Sequence, residues 1–226
     1  MYTPYTMTTR PRLSRERILE DALRIVDTEG LGGLTIRRLA QELDVTPMAV
    51  YRHFKNKGDI LDGLIELVIA EGKATEHDTP GWQAWIEVTF MRMRASLLHH
   101  PGVLPLLGSS ASYGLQSLRI TERLLGQMRG GGLDADACAR GLHLLVSYTL
   151  GAVAIEVAAR EQQENGAKDP AEYQRQLRSR FESANIAEFP NLVSLAPKLS
   201  RFVEEAEFGL GVRHIIQSLA PTSAAS

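Results

Sequence analysis

Between Leu34 and Lys57 the chain sets two short apolar-periodic segments on either side of one tight break, and that spacing leaves few folds open. Thr35 stands as a helix cap before Ile36, Leu39, Ala40 and Leu43. Asp44-Val45 makes the turn. Thr46 caps a third segment that runs to about His53. Pro47 occupies its first helical position, where a missing N–H costs nothing. Ahead of this unit, Ser14 caps a segment carrying Ile18, Leu19, Ala22, Leu23, Ile25 and Val26, an i, i+3/i+4 stripe. Gly30 to Gly33 stops it. A fourth segment starts near Lys57 and carries Ile60, Leu61, Leu64, Ile65, Val68 and Ile69. Three short helices with a tight turn between the second and third make a helix-turn-helix. Leu39, Ala40 and Leu43 face inward, and Val45, Val50 and Phe54 complete a small core. Ala40 sits where the two helices cross closely, and a larger side chain there pushes them apart.

The rest of the chain is helical as well. No period-2 runs of β-branched residues separated by hairpin turns occur, so the expected fold class is all-α. Glu71 to Gly81 is polar and broken by Gly72, Pro80 and Gly81, which sets a domain boundary. The expected division is a flexible arm over 1–13, a helix-turn-helix DNA-binding domain over 14–72, and a larger helical body over 81–220. In the body the pattern predicts helices near 82–99, 103–109, 112–130, 134–164, 170–186 and 198–219. Pro101-Gly102, Gly130 to Gly132, Asn165-Gly166, Pro190 and Pro197 punctuate them. The stretch 165–197 is expected to be partly disordered.

The formal net charge of −2 does not by itself suggest nucleic acid, and the sum hides a mildly basic N-terminal segment attached to an acidic body. Residues 1–60 hold ten Lys/Arg against eight Asp/Glu, and residues 61–226 hold fifteen against nineteen. The single cysteine, Cys138, rules out a disulfide or a Cys-based zinc site within one chain. It reads as a small buried hydrophobe. Met1 to Arg12 has no apolar run resembling a signal peptide. Gly141 to Ile155, an uncharged apolar-leaning stretch of 15 residues that contains His143, Ser147 and Thr149, falls short of the roughly 20 residues of a membrane span. A cytoplasmic protein with no membrane partner is expected.

The run from Leu34 to Lys57 and the helix before it resemble the N-terminal domain of the tetracycline-repressor (TetR/AcrR) family. The ending Tyr51-x-x-Phe54-x-x-Lys57, followed by Asp59 and Leu61, is the family's signature. The resemblance covers about residues 14–70. It implies a DNA-phosphate contact at Thr35, whose cap position also offers backbone N–H groups to a phosphate. It implies an arginine at Arg37 within reach of a guanine edge or a phosphate. Thr46, Pro47, Met48 and Ala49 begin the recognition helix that enters the major groove. Tyr51, Arg52 and His53 match groove and phosphate contacts, and Lys57 matches a phosphate contact. Tyr51 and His53 are alternatively packed against the start of the fourth helix. Arg38 and Lys55 read as solvated charges. Pro47, Met48 and Ala49 offer no side-chain hydrogen bonds, so specificity leans on Arg37, Thr46 and DNA shape.

For the body, the resemblance implies a helical regulatory domain that dimerises and binds a small molecule. The 134–164 helix is apolar on nearly all sides. Cys138, Leu142, Leu145, Thr149 and Val153 lie on one face; Leu144, Tyr148 and Ile155 lie on another. A helix with no polar face must be covered on both sides. Gly141, Ser147, Gly151 and Ala152 permit close helix approach. The last helix repeats the theme at Leu199, Phe202, Val203, Ala206, Leu210, Ile215, Ile216 and Leu219. Two such helices from each of two chains form the four-helix homodimer interface this family uses; the alternative is that both fill a monomer core.

A ligand pocket is expected between helices 82–99, 103–130 and 134–160. Its candidate lining is Trp85, Thr89, Met93, Leu104, Leu107, Tyr113, Leu118, His143, Ser147, Tyr148 and Glu156. Tyr148 to Val153 and Leu107-Gly108-Ser109 are similar to the tetracycline-binding members. Those hold a magnesium chelate through two histidines, whose positions here are Leu106 and Lys73. Both differences argue for an apolar or aromatic effector without metal, and no cofactor is expected.

No enzyme motif is present: no G-x-S-x-G, no H-E-x-x-H, no phosphate-cradling loop. Gly130 to Gly132 ends a helix, with no Lys-Ser/Thr after it. His99-His100 reads as a helix terminus, where histidine suits the dipole, and its spacing does not suit metal ligation on one helix face. The expected function is a sequence-specific DNA-binding transcriptional regulator. Its partners are a double-stranded, roughly palindromic operator, a small-molecule effector and a second copy of itself. Repression, as opposed to activation, rests on the family alone. The alternative is an effector-independent DNA-binding protein controlled by a protein partner.

Overall fold

Helices are the only long-range regular elements among the described residues, as the sequence pattern requires. The computed structural model describes residues 13–107, 114–166, 170–200 and 205–219. In chain order these form α1 (Arg15–Gly33), α2 (Ile36–Glu42), α3 (Pro47–Tyr51), α4 (Lys57–Glu71) and α5 (Trp82–His99). A 3-10 turn (Pro101–Val103) leads to α6 (Leu104–Leu107), α7 (Leu115–Gly130) and α8 (Ala135–Gly166). Then come α9 (Pro170–Glu182), α10 (Pro190–Leu199) and α11 (Glu205–Leu219).

The head, α1 to α4, is closed by its caps. The Arg17 N–H donates to Ser14 Oγ at 3.2 Å, and the Arg38 N–H donates to Thr35 Oγ1 at 3.0 Å. Gly30 interrupts α1 at φ 71, a left-handed conformation that suits glycine. The turn after α2 is a Schellman motif with Asp44 in the left-handed position at φ 53. There the Val45 N–H donates to the Ala40 carbonyl at 2.9 Å, and the Asp44 N–H to the Gln41 carbonyl at 3.1 Å. Asp tolerates this conformation better than most side chains. α4 begins on Asn56, whose Oδ1 accepts the Asp59 N–H at 3.0 Å.

Ile18, Ala22, Leu39, Ala40, Val50, Phe54, Ile60 and Leu64 are fully buried in one cluster, with Val45 packed against it. Arg15 ties the start of α1 to the end of α3. Its guanidinium lies 4.1 Å from the Phe54 ring centroid and donates to the His53 carbonyl at 3.0 Å. The head cluster runs on into Leu97, Val103, Leu106 and Val153 of the body.

The body packs α5, α7, α8 and α11 around Ile86, Phe90, Leu124, Met128, Leu145, Phe208 and Val212. α4 lies against both α5 and α7. By length and composition, Ala135–Arg160 of α8 matches a membrane span. One side of it is buried here through Cys138, Leu145, Thr149 and Val153. Gly141 lets α11 in: a Cβ there would stand 2.5 Å from Leu219 Cδ1.

Several expected bounds shift. The 103–109 helix is a 3-10 turn followed by one turn of α6, with 108–109 outside the described residues. The described part of the 112–130 helix begins at Leu115. The 170–186 helix ends at Glu182. The expected 198–219 helix is two elements, because α10 ends at Leu199 and α11 begins at Glu205; Phe202 and Val203 lie outside the described residues. Within 165–197, expected to be partly disordered, α9 and α10 form. Pro190 starts α10, where its fixed φ is preorganised. Pro197 sits inside its last turn, where only one helical hydrogen bond is lost. Most of the expected N-terminal arm, 1–12, lies outside the described residues.

Candidate DNA interface and ligand cavity

α2 and α3 present the expected DNA-contact residues. Thr35, Arg37, Thr46, Pro47, Met48, Tyr51, Arg52 and Lys57 are exposed, while Ala49 and His53 are half-buried. Arg37, Pro47 and Tyr51 line a shallow groove together with Ile36, Ala40, Gln41 and Val45. Met48 is 66% exposed and Tyr51 48%, large apolar surfaces for a head that otherwise buries its hydrophobes. Thr46 holds the N-cap position of α3 but makes no capping hydrogen bond, so its hydroxyl is not committed to the helix. Gln41, which sequence reasoning passed over, stands in the same groove and carries an amide suited to an adenine edge.

The two adjacent arginines differ. Arg37 has no hydrogen bond or ion pair among the described residues. Arg38, expected as a solvated charge, is partly exposed but also paired: it bridges Glu29 at 2.8 Å and Glu42 at 2.7 Å. The hydrogen bonds that Arg38 donates to Glu42 and Glu29 raise its pKa, and Arg38 in turn lowers that of Glu42. Arg38 braces α1 against α2 and leaves Arg37 as the outward guanidinium.

A cavity of about 200 Å³ lies between α4, α5, α7 and α8. Ile65, Val68 and Ile69 of α4 form one wall, Met93 and Leu97 of α5 another. Ile120 and Leu124 of α7, Leu142, Val146 and Leu150 of α8, and Leu107 of α6 complete the apolar lining. Ser96, Ser117, Thr121 and Thr149 are its hydroxyls. Three are committed: Ser96 Oγ donates to the Val68 carbonyl at 2.9 Å, Ser117 Oγ to Glu66 Oε1 at 2.8 Å, and Thr149 Oγ1 to the Leu145 carbonyl at 2.8 Å. Among the described residues, no charged side chain lines the cavity.

Of the eleven ligand candidates, the fold brings Met93 and Leu107 to this cavity. Leu118 lines a neighbouring cleft with Lys73, Arg119 and Arg123. Leu104 packs against the head cluster. Trp85 is buried, donates from Nε1 to the His77 carbonyl at 3.2 Å and stacks on His77 at 4.9 Å. Thr89 donates to the Trp85 carbonyl and lies 3.0 Å from His77 Nε2. Burial holds the His77 imidazole below the ordinary histidine range, and Arg92 and Arg123 push the same way. Tyr148 stacks on Phe208 at 5.3 Å and donates to its carbonyl at 3.4 Å. Burial raises its hydroxyl pKa. Glu156 pairs with Arg94 and Arg160. His143 and Ser147 face outward, and Tyr113 lies outside the described residues. The reason is helical phase: His143 and Ser147 stand about 100° from Leu142 and Val146, which do reach the cavity.

Sequence reasoning also missed Glu66. Its carboxylate leaves α4 to cap the first turn of α7, accepting the Gln116 N–H at 2.6 Å and the Ser117 N–H at 3.3 Å. The helix that carries the head is thus tied to a helix that lines the cavity.

Two family descriptions match the chain. Residues 18–64 match "Bacterial regulatory proteins, tetR family", and residues 75–222 match "Tetracyclin repressor-like, C-terminal domain". The chain is 29% identical over 220 residues to the HTH-type transcriptional repressor DrrR1 of Streptomyces coeruleorubidus, covering 93% of this chain and 78% of that one. It is 29% identical over 163 residues to the class E tetracycline repressor protein of Escherichia coli, covering 71% and 76%. Among solved structures it is similar to the Streptomyces coelicolor TetR family protein ActR in complex with actinorhodin. That likeness has a TM-score of 0.79 at 28% identity and covers 93% of this chain and 96% of that one.

Proposed function

The chain belongs to the tetR family of bacterial regulatory proteins, and from that membership we propose a cytoplasmic homodimeric repressor released from a palindromic operator by a small apolar or aromatic effector. The observation that carries the effector half is the cavity's wall. Ile65, Val68 and Ile69 belong to α4, the helix on which the head is mounted. A ligand that fits better with α4 in one orientation shifts the population toward it, and the distance between two heads changes with it. The apolar lining, with no carboxylate or imidazole among the described residues, favours a ligand held by shape and a few hydroxyls over a metal chelate. The relatives named as repressors and the ActR complex with actinorhodin support this reading over control by a protein partner.

In this proposal Arg37 reads the operator. Thr46, Pro47, Met48, Ala49 and Tyr51 enter the major groove beside it, and Thr35, Arg52, His53 and Lys57 contact phosphates. Selection of bound fragments from the source genome, followed by titration of the recovered operator, tests it. Arg37→Ala is expected to weaken operator binding by about 1–3 kcal/mol and relax selectivity at one base pair. Equal losses on all sequences would mean a phosphate contact, and an unchanged titration would remove Arg37 from the interface.

Glu66 transmits the signal in the same proposal. Glu66→Ala removes the cap that joins α4 to α7. The expected outcome is near-normal operator affinity without effector and a weaker response to it. Coupling between such sites is typically about 1–3 kcal/mol, so the effector's shift of the operator midpoint should shrink severalfold. A full shift in the variant would place the coupling elsewhere.

A further inference from the structure

At the joint between head and body, two helices end beside a pair of adjacent histidines. α5 ends at His99, and His100 is its cap residue at φ −123 and ψ 63. That departure from helical geometry brings together two rings that a continuous helix would hold about 100° apart. Their centroids lie 4.6 Å apart, edge to face. Glu71, the last residue of α4, joins them. One donor atom from each of Glu71, His99 and His100 lies within 4.8 Å of the other two.

His100 is 7% exposed. Its Nδ1 lies 2.9 Å from Oδ2 of Asp27 on α1. Its Nε2 lies 3.2 Å from Oε2 of Glu71, yet it is buried without a hydrogen-bond partner among the described residues. Asp27 takes up Nδ1, so Nε2 is the ring nitrogen left to meet a cation held between it and the Glu71 carboxylate. A histidine held at one nitrogen by a carboxylate is also the usual outer-shell arrangement of a metal ligand.

We propose that Glu71, His99 and His100 bind a divalent transition metal of the zinc class, with Asp27 as the positioning residue for His100. Two imidazoles and one carboxylate suit such a metal, with water as a fourth ligand. Magnesium and calcium prefer more oxygen ligands. Bonds of about 2.1 Å place tetrahedral ligands about 3.4 Å apart, so the exposed Glu71 and His99 side chains close inward on the buried His100. Lys73 and Arg92 border the same hollow. Arg92 is engaged by the carbonyls of Lys73 and Glu76 at 3.3 and 3.0 Å. A metal here ties α4 to α5, with α1 held through Asp27. That is an input to the head separate from the apolar cavity; this consequence rests on the repressor reading, whereas the site itself does not.

The test is calorimetric titration of the chelator-stripped full chain with Zn²⁺, alongside Co²⁺ followed by its visible absorption. The expected result is one equivalent per chain and an unfolding midpoint that climbs with free metal, since the ion binds the folded state. Glu71→Gln with His99→Gln, both at exposed positions, should abolish binding. Asp27→Asn should weaken it about 10–100-fold. His100→Ala removes the buried ligand, and the exposed pair keeps the test valid should that variant fail to fold. No saturable binding, or undiminished binding in the Glu71/His99 variant, overturns the site. Operator titration of the stripped protein separates the two ideas: a chain that binds metal but no operator sinks the repressor reading and leaves the site standing.

Discussion

Glutamates at Ile155 and Leu210 are expected to split the proposed dimer and lower affinity for the full operator about 10²–10⁴-fold. Within one chain Ile155 is 66% exposed, Leu210 47% and Leu144 39%. Ala154 and Ala158 are exposed on the same helix as Ile155, and nothing lies within 4 Å of a Cβ placed at Gly151. α8 and α11 pack against each other, so their outward faces adjoin. An apolar surface of that kind marks an interaction site. A two-fold axis repeats every contact, so each glutamate enters the interface twice and faces like charge. A single head then binds one half-site and loses the effective concentration that linkage supplies. Light scattering should report a monomer, far-UV circular dichroism should be unchanged, and the operator midpoint should move by orders of magnitude at fixed salt. A variant that stays dimeric, or a monomer that binds as tightly as the parent, would sink the four-helix interface.

The head was legible because its signals are local. Ser14 and Thr35 cap their helices through bonds three residues away. Gly30 supplies its left-handed turn alone. Leu39, Ala40, Val50 and Phe54 are buried as their spacing requires. The C-terminal third was harder to read. Pro197 normally ends a helix, but here it falls where only one hydrogen bond is lost. The apolar pattern from Leu199 to Leu219 continues across two separate elements, so periodicity alone could not place the break.

The body's site was legible as a location and not as a residue list. Candidates were drawn from residue types with useful chemistry, and in helices phase decides what faces inward. Trp85, Thr89, Tyr148 and Glu156 satisfy their polar atoms within the fold. Leu142, Val146 and Leu150, with no chemistry to recommend them, line the cavity. The link from Glu66 to the α7 amides spans 50 residues of chain. Arg38 meets Glu29 nine residues away. Neither partner is fixed by a helical repeat, so only the packed fold brings them together.

Glu156→Leu is expected to destabilise the chain by about 3–5 kcal/mol, because it strands the guanidinium of Arg94. The pair is 2.6 Å apart, and its side chains are only 9% and 12% exposed. Arg94 Nε already lacks a hydrogen-bond partner among the described residues, and the guanidinium lies 5.4 Å from the Phe208 ring centroid. Removing Glu156 therefore leaves a buried charge facing an aromatic ring alone. Arg160, the carboxylate's second partner, is 53% exposed, and Arg160→Ala should cost at most about 1 kcal/mol. Arg94→Met combined with Glu156→Leu should recover most of the loss, since apolar replacement of a buried pair is often near neutral. Urea unfolding of the two single variants and the double variant closes the cycle. Losses that simply add would mean that the pair is uncoupled and that solvent reaches it. The same pair joins α5 to α8, two walls of the cavity. A recovered double variant that folds but answers the effector poorly would mean that the charges align those walls, a role that packing alone does not replace.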